Sequence, residues 1–221
     1  METYWLRFTL LSDATFGRGD GVAGLVDREV EHDADGMPYL RGRTLKGLLA
    51  EECANILFAL GKQNKPLDRW YQAAQRLFGR PGSTLADDAL MRVGDARLPA
   101  DLRAAIHYDV EAGRFHPTEV LEALTAIRHQ TAVNVEGAPE RGTLRATRVV
   151  LRKTPFEAEL AFAEPAQPDD LASLAACILS LRRAGTGRNR GRGRLMATLH
   201  DAQGNDITQP QFESFTHEVR P

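Results

Sequence analysis

Cysteine is scarce in this chain, and that scarcity excludes several chemistries at the outset. Only Cys53 and Cys177 are present, each inside an apolar helical pattern where cysteine behaves as a small hydrophobe. No disulfide framework or thiol chemistry follows from them, and no His/Cys cluster supports structural zinc. Long hydrophobic runs are missing as well: no segment approaches membrane-spanning length. The start, Met1-Glu2-Thr3-Tyr4, has neither a basic region nor an uninterrupted apolar stretch, so a reducing cytoplasm is the expected location. Nor is there a surplus of charge of one sign. The net charge is −2, so a polyanion would have to be met by segregated rather than overall positive charge.

Segregated charge is what the sequence contains. From Arg182 to Arg194 there are six arginines and no acid, and from Arg128 to Lys153 six basic residues stand against Glu136 and Glu140. Acids gather elsewhere, as in Glu29, Glu31, Asp33 and Asp35. Within the first basic run, Gly185-Thr186-Gly187-Arg188-Asn189-Arg190-Gly191-Arg192-Gly193-Arg194 alternates glycines with four arginines. Glycine lets backbone approach a ligand closely, and each arginine offers a planar fork of donors to phosphate oxygens. A single-stranded nucleic acid repeats such charges along a line. The loop is not of the Walker type, because no lysine followed by serine or threonine is present in it.

At 221 residues, 43% of them hydrophobic, the chain is long enough for one elaborated domain with a real core. Periodicity predicts a strand over Tyr4–Leu11, then a Gly- and Asp-rich segment over residues 12–43 with short strand-like pieces at Gly24–Glu31 and Pro38–Leu40. Thr44 is expected to cap a helix that Gly61 ends, and Asp68 to open a second helix stopped by Gly79. A strand over Leu90–Leu98 precedes a mixed insertion. Thr143–Leu151 and Pro155–Ala163 read as two strands joined tightly around Lys153-Thr154. A helix over Pro168–Ala184, with Gly185 as its C-cap, leads to a final strand over Gly193–Asp201. Reduced to its core, the order is strand, helix, strand, strand, helix, strand: an α+β chain with the ferredoxin-like plan shared with RNA-recognition modules. No Gly-Phe-aromatic signature is present, so a different mode of RNA binding is required.

The residues that carry a family resemblance lie in the N-terminal loop. Phe16-Gly17-Arg18-Gly19-Asp20-Gly21-Val22-Ala23-Gly24-Leu25-Val26-Asp27 is followed by Pro38-Tyr39-Leu40-Arg41-Gly42-Arg43-Thr44-Leu45-Lys46-Gly47. Together they resemble the signature of the RAMP superfamily of CRISPR-associated proteins, in particular the repeating backbone subunit of type III effector complexes. Arg41 and Arg43 depart from the usual proline and serine, and both add charge beside a helix N-terminus, where anions bind well. The stretch Ile127–Asn134 with Gly142–Val150 is similar to the family's arginine-rich segment and projecting thumb hairpin, and the Gly-Arg loop matches its glycine-rich loop.

The resemblance implies a single RAMP-type domain over residues 1–221, with insertions at 62–79 and 99–125 and a thumb and hairpin region at 126–163. It implies a guide RNA, complementary target RNA, neighbouring copies of the chain and other effector subunits as partners, and no membrane. Backbone contacts without sequence preference would come from Arg18, Arg41, Arg43, Lys46, Arg128, Arg188, Asn189, Arg190, Arg192 and Arg194, while base pairing reads the sequence. Asp27 is the implied catalytic residue, holding Mg2+ or Mn2+ or orienting a ribose 2′-hydroxyl for attack on the adjacent phosphate. Asp20, between two glycines, is the second choice. Two other readings stand beside this one: a non-catalytic capping or scaffold subunit, and a metal-independent processing enzyme for guide RNA that uses His32, with His129 and His107 as alternatives.

Overall fold

The computed structural model describes residues 2–63, 65, 67–79, 89–132, 137–138, 140 and 142–219. Along the chain the elements are β1 (Glu2–Leu10), α1 (Gly42–Lys62), α2 (Asp68–Phe78), β2 (Met91–Val93), α3 (Ala100–Glu111), α4 (Pro117–Leu124), β3 (Thr125–Gln130), β4 (Arg145–Val150), β5 (Pro155–Phe162), α5 (Pro168–Ser180), β6 (Leu195–His200) and α6 (Thr208–Val219). Among the described residues no helix is long and apolar enough to cross a membrane.

The chain is α+β, with two antiparallel sheets of unequal character. The larger has the strand order β2-β5-β1-β6, with every pairing antiparallel. Alternation in β1 buries Tyr4, Leu6, Phe8 and Leu10 on one face, as a half-covered strand requires. Phe8 stacks on Phe156 of β5 with centroids 5.1 Å apart, and Phe16 meets Phe156 edge-on at 5.5 Å. Helices α1 and α5 pack against each other and join this core through Leu45, Leu49, Cys53, Leu174 and Ile178. Cys53 and Cys177 are both free and buried, as small core hydrophobes. The smaller sheet pairs β3 with β4 alone.

Several local expectations are corrected. Helix α1 starts at Gly42, not after a Thr44 cap, and Arg41 makes no side-chain capping bond. The cap arrives from far along the chain: Asp95 Oδ1 accepts from the Gly42 N–H at 2.9 Å. Glycine is needed at 42 because a Cβ would overlap the Val93 carbonyl. The helix runs through Gly61 to Lys62. The expected 90–98 strand shrinks to β2, after which Ala96 and Arg97 bridge to Leu40 and Glu157. The strands expected to form one hairpin around Lys153-Thr154 belong to different sheets, β4 to the small one and β5 to the large one. The turn between them is held by the end of β1, where Lys153 N–H donates to Leu10 O at 2.7 Å and Leu10 N–H to Thr154 O at 3.1 Å.

Helix α5 ends at Ser180 with Leu181 as its C-cap, so Gly185 does not cap it. Residues 182–184 instead pair with 193–195, through Ala184 N–H to Gly193 O at 2.9 Å and Leu195 N–H to Arg182 O at 3.0 Å. The segment 99–125 is mostly α3 and α4, and α2 buries Trp70, Ala73 and Leu77. Trp70 meets Phe215 of α6 with centroids 4.6 Å apart. The last helix had no counterpart among the expected elements, because its apolar residues are few and it lies beyond the final predicted strand.

Candidate nucleic-acid interface

The segment 16–31 is built from backbone bonds first. Glu31 N–H donates to Phe16 O at 2.7 Å, Arg18 N–H to Glu29 O at 3.2 Å and Glu29 N–H to Asp20 O at 2.9 Å, closing the glycine-rich stretch into a short ribbon. That ribbon is zipped onto β4. Asp27 N–H donates to Ala146 O at 2.8 Å, Arg148 N–H donates to Arg28 O at 3.0 Å, and Ala146 N–H donates to Asp27 Oδ2 at 2.7 Å. One carboxylate oxygen of Asp27 is thus occupied, while Oδ1 faces Arg145 Nη1 at 3.7 Å.

Beneath this seam lies a buried ion pair. Arg148 is 6% exposed and Glu29 2%; Arg148 Nε sits 2.9 Å from Glu29 Oε1, and its Nη1 donates to Thr125 Oγ1 at 3.2 Å. Val30 N–H also donates to Glu29 Oε1 at 2.9 Å. Two charges this far from water are tolerated only when their remaining hydrogen-bonding capacity is met, as it is here. Removing either partner would strand the other.

The Gly-Arg loop is anchored along its length against residues 12–15. Thr186 N–H donates to Thr15 O and Gly193 N–H to Asp13 O, each at 2.9 Å, and Ser12 Oγ donates to Gly191 O at 3.0 Å. A Cβ at Gly193 would overlap the Ala184 carbonyl, and that residue has φ 70, so only glycine fits without displacement. Arg188–Arg190 forms one 3-10 turn between Gly187 and Gly191, both left-handed. The result is a shaped rim.

Three clefts open around that rim, and Arg190 lines all of them. One, of about 390 Å³, brings Asp27 together with Arg28, Arg145, Arg190 and Arg192, beside Gln130, Thr147 and Thr186. Asp27 is the one acid lining it, against four arginines. On the far side of the loop, Arg128, Arg152, Lys153, Arg190 and Arg192 line a second cleft with His129 and Asp13. The third, by α1, holds Arg28, Arg182, Arg183, Arg188, Asn189 and Arg190 against Glu51 and Glu52. Burial raises the Glu52 carboxyl above its ordinary value.

The expected binding residues divide by what they already touch. Arg18 pairs with Asp20 at 2.6 Å, Arg41 with Glu31 at 2.6 Å, Arg128 with Asp13 at 2.8 Å and Arg188 with Glu51 at 3.2 Å. Arg43, Lys46, Arg190, Arg192 and Arg194 have no ion pair among the described residues. Arg43 and Lys46 stand on the first turns of α1, outside the three clefts. The α1 N-terminus, expected as a phosphate site, already carries the Asp95 carboxylate. Asp20 is engaged by Arg18. Val133 and Asn134 of the arginine-rich stretch lie outside the described residues.

Of the three histidines only His129 lines one of these three clefts. His32 Nδ1 is 3.0 Å from Asp33 O in the 31–38 turn. His107 sits on α3, where its Nδ1–H donates to Asp35 Oδ2 at 2.8 Å, and that bond together with nearby Glu111 raises its pKa. Sequence reasoning missed Arg28, Arg145, Arg152 and Lys153 as groove residues. For Arg145, Arg152 and Lys153 the signal is the excess of base over acid between 128 and 153; Arg28 lies outside that run and is marked only by its place next to Asp27.

The RAMP superfamily matches over residues 7–195. Among solved structures, a chain of the Type III-B Cmr-beta bound to cognate target RNA, determined by cryo-EM, aligns with a TM-score of 0.63 at 14% identity, covering 90% of this chain and 97% of that one. A chain of the Type III-B Cmr-beta in the apo state aligns with a TM-score of 0.62 at 14% identity and the same coverage of 90% and 97%. No curated protein sequence matches the chain. The structural likeness, at that identity, concerns the fold. The family match spans the Asp27 ribbon, the β3–β4 hairpin and the whole Gly-Arg loop, and this chain belongs to the RAMP superfamily.

Proposed function

We propose that this chain is a guide-RNA-binding backbone subunit of a type III CRISPR effector complex, acting in the cytoplasm with further copies of itself and other effector subunits, and that Asp27 takes part in cutting target RNA paired to the guide. One observation carries the reading: a single carboxylate, fixed by the backbone of β4, sits in a cleft whose other charged residues are Arg28, Arg145, Arg190 and Arg192. The neighbours' fold supports it, since the similar Type III-B Cmr-beta is bound to target RNA. The β-α-β-β-α-β path with strand order β2-β5-β1-β6 supports a ferredoxin-like core, and β3–β4 corresponds to the thumb.

The arginines neutralise phosphates of an RNA laid along the rim, without reading bases. Asp27 Oδ2 stays with the Ala146 N–H, which leaves Oδ1 to accept the proton of a ribose 2′-hydroxyl while that oxygen attacks the adjacent phosphate, forming a 2′,3′-cyclic phosphate as the bond to the 5′-oxygen breaks and that oxygen takes a proton from water. Arg145, at 3.7 Å from Oδ1, stands where negative charge grows on the phosphate oxygens. Among the described residues no group of three or more His, Cys, Asp or Glu side chains is assembled to hold a metal. Asp27 Oδ1 is the atom that would hold Mg2+ or Mn2+, in place of taking the proton itself, since Mg2+ is bound through one or two carboxylates together with substrate phosphates. Such an ion would supply Lewis-acid stabilisation of the phosphate.

Asp27→Ala is expected to leave complex assembly and target binding intact and to abolish cleavage of complementary RNA with Mg2+ or Mn2+ present. A 2′-deoxy substitution at the scissile nucleotide should block the same cut. Normal cleavage by the variant, or a wild-type complex that binds target and never cuts it with any divalent ion, makes the chain a guide-holding scaffold. Metal-independent cutting of precursor guide that disappears on His32→Ala would replace the reading with processing.

A further inference from the structure

The cleft across the loop from Asp27 holds positive charge that target cleavage leaves without a task. It has a volume of about 800 Å³, and Leu11 and Leu151 are among its lining residues. Asp13, the one acid lining it, is already committed: Oδ2 accepts from Arg128 Nη2 at 2.8 Å and Oδ1 from the Arg152 N–H at 3.2 Å. Arg152 and Lys153 have no ion pair among the described residues, so their charge is available to a ligand.

Lys153 is also the one described non-glycine residue with positive φ, at 71°. Its turn is tied by Lys153 N–H to Leu10 O at 2.7 Å and by Thr154 Oγ1 to Leu151 O at 2.7 Å. Those bonds use only the backbone of position 153, and glycine or asparagine would take the same conformation at lower cost. The lysine is therefore less stable there than a smaller residue would be, and its ammonium projects from a turn that borders a cationic cleft. Strained backbone retained at such a place points to use of the side chain.

The geometry points to a phosphate-binding turn at Arg152-Lys153. An RNA strand held at Arg190 and Arg192 continues past the rim into this second cleft, where Arg152 and Lys153 contact its next phosphodiesters. The inference rests on the RNA-binding reading and extends it to residues outside the Gly-Arg loop. Arg152 offers a planar fork and Lys153 a point charge, and neither selects a base.

The test is filter binding of a mixed-sequence single-stranded RNA across a salt series, comparing Arg152→Gln/Lys153→Asn with Arg190→Ala/Arg192→Ala and wild type. Loss of two phosphate contacts should lower affinity about tenfold and reduce the salt slope by about 1.4. Lys153→Asn alone should raise Tm by about 2 °C while weakening binding, because strain is relieved as charge is lost. Lys153→Arg should bind as wild type does. If the 152/153 variant keeps its affinity and slope while the 190/192 variant loses both, the turn has no such role and the groove reading stands. Reduced affinity with an unchanged slope also overturns the turn's role, since phosphate neutralisation must change it. If wild type binds no RNA, both inferences fall together.

Discussion

The buried face of the four-stranded sheet and the groove around the Gly-Arg loop are stabilised in different ways. In the sheet, Leu6, Phe8, Leu10, Phe156 and Leu160 are sealed from water and belong to one continuous core, so the energy is spread over many apolar contacts. In the groove, order depends on a few polar anchors: the Glu29–Arg148 pair, the Asp27–Ala146 seam and the bonds from residues 12–15 to the loop. Of the arginines that face the clefts, Arg183 joins that order by donating to Arg188 O at 2.7 Å, whereas Arg190 and Arg192 contribute little to it. Arg190 and Arg192 pair with no acid among the described residues, so the groups proposed to meet RNA are separable from the groups that shape the rim.

The largest expected effect breaks the sheet side of this contrast. Phe156 is 1% exposed and touches both Phe8 and Phe16, so Phe156→Ala should cost about 3–5 kcal/mol in urea unfolding. A loss below about 1 kcal/mol would mean that the aromatic cluster is not the core it appears from burial alone. Next comes the anchor beneath the groove. Arg148→Met strands the Glu29 carboxylate and should cost about 3 kcal/mol, whereas Glu29→Gln with Arg148→Met should recover most of it. A double variant as unstable as the single would show that packing, not charge, carries the pair.

The smallest effect on stability is expected where the effect on binding is large. Arg190→Ala with Arg192→Ala should change unfolding free energy by no more than about 0.5 kcal/mol. RNA affinity should fall about tenfold and the salt slope by about 1.4, as two phosphate neutralisations are lost. Parallel losses of stability and affinity would assign the two arginines to the structure of the loop and erase the contrast.

The core elements were legible because they depend on local periodicity. β1, α1, α2, α5 and β6 each carry an apolar pattern that only one type of element can bury, and their positions were read to within a few residues. Their ends were less legible. Thr44 has the side chain of an N-cap, yet the carboxylate of Asp95, 53 residues beyond Gly42 in sequence, takes that role. β4 and β5 look like a hairpin because a turn joins them, but the end of β1 seizes that turn and sends the two strands into separate sheets.

The candidate site divides along the same line. By itself the sequence determined that arginines alternate with glycines at 185–194, that a second basic run precedes β5, and that Asp27 sits in a glycine-rich segment, since composition and spacing require no folding to be read. Only the tertiary structure decided which of these charges are free and which face one another. Asp27 meets Arg145 because β4 pairs with the ribbon, and Arg41, Arg128 and Arg188 are occupied because acids further off in sequence fold onto them, whereas Arg18 is held by Asp20 two residues away. An ion pair depends on a separation of a few ångströms, and that distance is set by long-range packing, which one-dimensional spacing does not encode.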